Sequence, residues 1–539
     1  MEKRMIIAVA LSIIVLFVFQ YVTKKINYGE SFGKQRQKQN SFMDTIASSP
    51  LKEEKPRETN KQEQKNTNIS KQEEITKITT KEYNLYFSNV GGSIRKIELL
   101  SSLLNKKEEI IFESLEEKNN LFYTEIFQQN NKIEDFLYQL NQNNDYIEYI
   151  LTIPDKIKIS KRYIFNKNSH CIDFILSIDN ISTNNLDISY KITGPNNLEN
   201  TDKLMGRNFL ELNILIDDKI EKIKKVKYFT EKTGDIAWLG LKNRYFAMIL
   251  QPFLQIKSIG INKNKNNFVT YLNTNSYSVF PDNKKEEKYC LFIGPLEENI
   301  LSKADKSMVS IINYGFFNSI TKILLFLLTI FYKIFHNWGF AIILLTIVLN
   351  ITLFPLTAKS FISMKAMKKI QPQMENLKKQ YKDNPQMLNK EMMQLYKKNK
   401  VNPVGGCLPM ILQIPIFMAL YQGLMRSFML RGANFLWIKD LSMPEGISIP
   451  FKIPLIGNHI NILPLIMVVV MFFQQKLSQE HMSFDSMTQE QKSQQKMMLF
   501  MPLLFGFMFY KMPSGLVLYW LTNTILMTIE QYFIGKKFS

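Results

Sequence analysis

The side chains in this sequence best placed to do chemistry are uncharged and lie inside long apolar runs. Thr346, Asn350 and Thr352 interrupt NWGFAIILLTIVLNITLFPLT, Gln413 interrupts VNPVGGCLPMILQIPIFMALYQGLM, and Tyr519, Thr522, Asn523 and Thr524 interrupt the last run. Thr346 and Asn350 are four apart, hence on one face of a helix. In hydrocarbon every such group needs a partner, so each faces a neighbouring helix or a wet cavity. As a helix–helix contact it contributes about 0.6 kcal/mol on average, and for any single threonine that reading is favoured. Three of five apolar helices carry these groups within one compact unit, which favours a shared hydrophilic groove for the set.

No catalytic constellation accompanies them. The chain has no GxxxxGK[ST], HExxH or GxSxG and no paired intramembrane carboxylates. Nucleotide hydrolysis is therefore not expected, nor any cofactor. Four scattered histidines (His170, His336, His459, His481) have no metal-ligand spacing. Of three cysteines, Cys407 starts an apolar run, leaving Cys171 and Cys290 as the one pair open to a disulfide in an exported domain; two thiols is the favoured reading. The net charge of +20 over 539 residues comes mostly from lysine, clustered beside apolar spans. That pattern fits membrane topology and no specific nucleic acid.

The elements that position these residues follow in chain order. Met5 to Val22 is one apolar span after Glu2-Lys3-Arg4, ending in Phe19-Gln20-Tyr21-Val22, which lacks the small residues of a cleavage site. We expect an uncleaved signal anchor over 1–25. Residues 26–81 are polar and too poor in apolar side chains to offset ordering entropy, which predicts a flexible linker. From Glu82 the period changes to two: Tyr83, Leu85 and Phe87, then Ile172, Phe174, Leu176 and Ile178, then Leu186, Ile188, Tyr190 and Ile192. With turns at Gly91-Gly92, Asn184-Asn185 and Gly194-Pro195-Asn196-Asn197, this predicts an antiparallel β-sandwich over 82–310. Between Lys322 and Lys333 the apolar run is only about ten residues, too short to span, which predicts an interfacial amphipathic helix over 311–336. Five spans follow within 337–539: about Gly339–Thr357, Val404–Met425, Ile460–Phe473, Met497–Tyr510 and Gly515–Ile534, the third and fourth short. The fold class is thus a polytopic α-helical membrane protein with six transmembrane helices, five of them a core, carrying a large antiparallel β-sandwich.

Between the first two core spans lies a lysine-rich hairpin, 358–400. Lys359, Lys365, Lys368, Lys369, Lys378, Lys379, Lys382, Lys390, Lys397, Lys398 and Lys400 are opposed only by Glu375, Asp383 and Glu391. The positive-inside rule places this hairpin in the cytoplasm. Counting spans from it puts both termini inside and residues 26–310 outside. Met374 and Leu377 before the turn, and Met392 after it, follow helical spacing; Asn384 is an N-cap and Pro385 the first helical residue. The methionine faces suit varied apolar partners, or simply each other.

NWGFAII, FPLT, QP, KVNPVGGCLP, QIPIF and PSGLVLYW, in this order, resemble the YidC family of bacterial membrane-protein insertases, from about Asn313 to the C-terminus. NVGGSIRKIEL, LKNRYFA and FIGP extend the resemblance upstream. It implies a periplasmic sandwich similar to sugar-binding β-sandwiches, an inner-membrane location, and a groove through which nascent membrane proteins enter lipid. Insertion alone and beside the Sec translocon, contact with ribosome and membrane lipids, and no enzyme activity are implied likewise. Thr346 and Tyr519 match the family pattern, while Trp520 replaces a tyrosine. Asn350 stands where the family generally carries an arginine, so the groove keeps donors and an acceptor but loses a fixed charge. The tail after Ile534 holds only Lys536-Lys537, against the long basic tails some members use at the ribosome. Two other classes compete. A transporter or channel would need repeats and broken helices at matching positions, of which there is no sign. An outer-face binding protein would not need a basic hairpin or an intramembrane asparagine.

Overall fold

The computed structural model describes residues 73–537 apart from short stretches, the longest being 101–108, 200–208, 224–228, 403–407 and 480–488. The expected signal anchor (1–25), nearly all of the linker and Cys407 lie outside the described residues. Strand Ile75–Thr79 falls inside the stretch expected to be linker. ITKIT alternates exposed and half-buried residues and pairs antiparallel with Tyr83–Ser88. Its two isoleucines are too few to stand out from a polar background; the neighbouring strand supplies the order that composition withholds.

The alternating segments form antiparallel sheets, the largest of nine and seven strands. Centrally in the nine-stranded sheet, Ile236–Lys242, Phe246–Pro252, Lys284–Pro295 and Cys171–Asn180 lie side by side. One core joins Phe174, Leu176 and Ile178 of this sheet to Ile188, Tyr190 and Ile192 of the other. Even the polar tips meet there, the Tyr190 and Tyr289 hydroxyls lying 2.6 Å apart. The Gly91-Gly92 turn has φ of 66° and 51°, which glycine adopts at no steric cost. Its carbonyls accept from buried Lys161 and from the Tyr163 hydroxyl, so NVGG is a packing device. Cys171 and Cys290 sit on adjacent strands, but the register sets Cys171 opposite Phe292 and Cys290 opposite Asp173. They are diagonal rather than opposed.

Glu287 is buried in this sheet, and among the described residues its Oε2 has no hydrogen-bond partner. Burial pushes its carboxyl up to about 7. Between pH 4.5 and 7 the fold therefore holds a proton that the unfolded chain gives up, and stability falls as pH rises through that window. We expect a loss of up to about 3 kcal/mol, read as faster hydrogen exchange in strand Lys284–Pro295, and Glu287→Gln to abolish the pH dependence. An unchanged profile in the variant would refute it.

Nine α-helices follow among the described residues. Short α1 (Glu298–Ala304) covers one face of the nine-stranded sheet with Leu301, beside Met308 and Ile311. Helix α2 (Asn318–Phe335) is continuous through Lys322 and Lys333 over 18 residues, where the sequence suggested an apolar run of about ten. Lysine stems lie along apolar surface while their heads reach out, so they need not end an apolar helix. It buries Thr321, Leu324 and Leu328 and exposes Ile323, Phe326, Ile330 and Ile334. With α3 (Trp338–Lys369) it is, among the described residues, one of two helices long and apolar enough to cross a membrane. Left-handed His336 ends α2, and Tyr332 stacks on Trp338 at 4.1 Å across the corner.

Helix α3 runs unbroken through Pro355 into the expected hairpin, so the hairpin starts as an extension of a span, not at residue 358. Helices α4 (Gln371–Gln380) and α5 (Pro385–Lys398) complete it. Asn384 Oδ1 accepts from Met387 N at 3.1 Å, with Pro385 at the first helical position as its sequence predicts. Met392 and Tyr396 are buried against Ile370, with Met374 and Leu377 packed around them, so the apolar faces largely serve each other. Met387, Met393 and Lys369 remain exposed; the Lys368 side chain lies outside the described ones.

Helices α6 (Leu408–Arg426), α7 (Ile462–Gln479), α8 (Gln489–Phe509) and α9 (Ser514–Lys537) close the unit. Helices α7 and α8 extend beyond the short apolar runs seen in sequence, because Gln, Lys and Ser continue a helix once it leaves lipid. The core centres on Leu345, Leu420, Met467, Leu516 and Tyr519.

LKNRYFA joins the sandwich to this bundle. It is the tight hairpin between strands Ile236–Lys242 and Phe246–Pro252, with Asn243 Oδ1 accepting from the N–H groups of Tyr245 and Phe246 at 2.9 and 2.8 Å. That turn aims Arg244 and Tyr245 at the loop after α6. The Arg244 guanidinium, 1% exposed, donates to the Met425 carbonyl at 2.5 Å and the Ser442 carbonyl at 2.7 Å. Tyr245 OH donates to Ser442 Oγ at 3.0 Å, and Phe428 meets Phe246 edge-on. Nearby, Arg426 donates to the Asn313 carbonyl at 2.9 Å.

Candidate functional site

Helix α9 supplies one face of the polar set. Tyr519, Asn523 and Glu530 are spaced four and seven apart, so they share a stripe. Each meets a neighbour. Gln413 Nε2 of α6 donates to Tyr519 OH at 2.6 Å. Asn350 Nδ2 of α3 donates to Asn523 Oδ1 at 3.0 Å and to its own helix at Thr346 O, 2.8 Å. Thr357 Oγ1 of α3 donates to Glu530 Oε2 at 3.2 Å. The second and third rungs have the same sequence separation, 173, at positions seven residues further along both helices. Helices α3 and α9 therefore run parallel, in register over two turns.

Of the polar residues singled out in the sequence, the structure brings together Asn350, Asn523, Gln413 and Tyr519, with Thr346 lending a carbonyl. The threonine hydroxyls mostly serve their own helices: Thr346 bonds Ile342 O, Thr352 bonds Val348 O, and Thr524 bonds Trp520 O. Trp520 stands apart from the rungs, in an aromatic cluster with Phe417, Phe505 and Phe509. Asn350 and Asn523 are 8% and 6% exposed, and Tyr519 1%. Their polar ends face one another, which is how helix–helix contacts in lipid satisfy buried amides. Glu530 and Thr357 were missed. The signal was present, since Glu530 lies one heptad after Asn523 and Thr357 one heptad after Asn350. Among the described residues no group of three or more histidines, cysteines or carboxylates could hold a metal.

Comparison with known proteins gives this unit its family. The YidC periplasmic domain model matches residues 75–327, and the 60Kd inner membrane protein model matches 330–539. A membrane protein insertase YidC from Geotalea daltonii is 32% identical over 564 residues, spanning 100% of this chain and 99% of that protein. The chain belongs to the YidC family. A YidC insertase from Pelobacter propionicus is 41% identical across 60% of this chain and 58% of its own. Among solved structures, YidC from Thermotoga maritima covers 84% of this chain and 98% of that one, at 14% identity and a TM-score of 0.31. As a YidC-family member the chain is an inner-membrane protein with a periplasmic β-rich domain, of an insertase class rather than an enzyme.

Proposed function

We propose that this chain inserts and folds nascent inner-membrane proteins along a hydrophilic path beside the α3–α9 rungs, alone or with the Sec translocon. The observation carrying this reading is the set of polar rungs, Gln413–Tyr519, Asn350–Asn523 and Thr357–Glu530, on one stripe of α9. Crossing lipid costs a polar segment several kcal/mol for each unsatisfied group. Rungs that open to a client offer it donors and acceptors partway across, while its apolar segment leaves sideways, where transfer is favourable.

The parallel run of α3 and α9 supports the topology. Three spans (α6, α7, α8) alternating between them would leave α3 and α9 pointing the same way, and the lysine-rich hairpin favours inward as that direction. With an N-terminal anchor this makes six spans, both termini cytoplasmic and residues 26–310 periplasmic. Helix α2, though long enough to cross, is assigned to the outer interface because a periplasmic sandwich and a cytoplasmic hairpin require an odd number of crossings between them, and α3 supplies one. The domains we propose are an anchor over 1–25, a linker from 26 that ends before strand Ile75–Thr79 rather than at 81, a sandwich from that strand to 310, an interfacial helix over 311–336 and a core over 337–539. The hairpin, with Lys368 and Lys369 at its root, is the cytoplasmic arm for clients, ribosome and Sec partners.

The test is site-specific photo-crosslinking from Asn350, with Thr346 as second probe, to a stalled nascent chain of a small membrane protein. Adducts that depend on the client's apolar segment are expected. Adducts from the hairpin alone would sink the path and leave a docking chaperone.

A further inference from the structure

Glu530 is the one carboxylate among the rungs, and the mechanism so far makes no use of its charge. In the described helices α3, α6, α7 and α9 no other Asp or Glu lies within the apolar stretch. At 1.5 Å per residue it sits about 24 Å along α9 from Ser514, hence inside the lipid-facing length but toward the cytoplasmic end. It is half-buried, and among the described residues it has no ion-pair partner. Its one donor is contested. The single proton of the Thr357 hydroxyl also lies within reach of the carbonyls of Leu353 at 3.3 Å and Phe354 at 3.0 Å. A glutamine would make the same rung without a charge. An ionisable side chain at membrane depth, short of donors and open on one side, is placed for something that arrives.

The charge balance along the stripe indicates what arrives. Thr346, Asn350, Thr357, Gln413, Tyr519 and Asn523 are all neutral, so the one fixed charge is negative. Lys359, two residues past Thr357, is exposed, where salt screens it, and half-buried Lys365 lies about 12 Å along α3 from Thr357; half-buried Glu530 is screened less than Lys359.

We propose that Glu530 is a specificity-determining residue that selects client segments bearing lysine or arginine over acidic ones. This rests on the insertion path described above. The client's cation would complete the carboxylate's unfilled acceptor sites as its tail passes the Thr357 rung, a charge-assisted contact that an acidic tail cannot make.

The full chain in proteoliposomes tests it with two single-span clients that differ only in their translocated tails, one lysine-bearing and one glutamate-bearing. Inserted together, they report a rate ratio that is independent of how much insertase is folded. We expect Glu530→Gln to lower the lysine-to-glutamate ratio about tenfold, and Glu530→Asp, which keeps the charge, to retain most of it. A ratio unchanged in Glu530→Gln, with both clients still inserted, would overturn this proposal and leave the insertion path standing. Failure of the unaltered chain to insert either client would overturn the path itself and the proposal with it.

Discussion

Arg244→Ala is expected to release the outer loop from the sandwich. The guanidinium bridges two backbone carbonyls, Met425 and Ser442, that lie 181 and 198 residues away, and it is almost wholly buried. Truncation leaves both carbonyls without that donor at a cost of about 1–3 kcal/mol each, so about 3 kcal/mol for the joint is a fair expectation. Lysine cannot reproduce the planar fork, so Arg244→Lys should recover only part. The readout is hydrogen exchange at Ile438 and Leu441, whose N–H groups are held by Phe435 O and Ala433 O. Their protection should fall about a hundredfold in the alanine variant, while strands far from the loop, such as Tyr146–Ile153, keep theirs. Equal protection in both proteins would mean the loop holds itself.

This joint also marks what could be read from the sequence and what could not. Period-two alternation gave the strands, since every second residue of CIDFILSI meets the core, and Asn384-Pro385 gave the hairpin turn because a cap and an N1 proline act locally. LKNRYFA gave only a resemblance. Nothing local says that Arg244 reaches carbonyls nearly two hundred residues away, because backbone acceptors carry no residue signature. Helix ends failed for a related reason. Apolarity marks where lipid would stop, but α3 continues to Lys369 and α7 to Gln479, since the backbone ladder does not depend on the solvent around it.

The polar set was legible by type and spacing, but its pairing was not. Asn350 was visible as an intramembrane amide; that it meets Asn523 required α3 and α9 to be parallel and in register. Glu530 was hidden by its position near the chain's basic end, where a carboxylate looks like ordinary surface. The same geometry narrows the groove reading. A rung in which Asn350 donates to Asn523 at 6–8% exposure holds helices together at rest, and on the proposed path it would have to open to serve a client. The proposed path therefore requires these rungs to be weak. Interhelical hydrogen bonds of about 0.6 kcal/mol, at most about 1.7, meet that requirement, whereas a buried ion pair such as Arg–Glu would resist opening.

Asn350→Leu is the sharpest consequence. The substitution leaves Asn523 Oδ1 and Thr346 O without the Asn350 donor, at a folding cost of no more than about 2 kcal/mol. If the rungs were only contacts between helices, insertion would follow the folded fraction and change little. If a client replaces Asn523 as the partner of Asn350 during passage, the initial insertion rate per folded molecule should fall about tenfold, a barrier rise of about 1.4 kcal/mol. Asn350→Gln, which keeps donor and acceptor, should restore most of it. The Asn523→Leu variant separates two versions of the same idea. Should the two amides open as one unit, each single variant costs about tenfold and the double variant scarcely more; should they meet the client separately, the losses multiply. Rates that track folded protein in both single leucine variants and in the double variant would assign Asn350 and Asn523 to helix packing alone, and the client would have to pass by another face of α9.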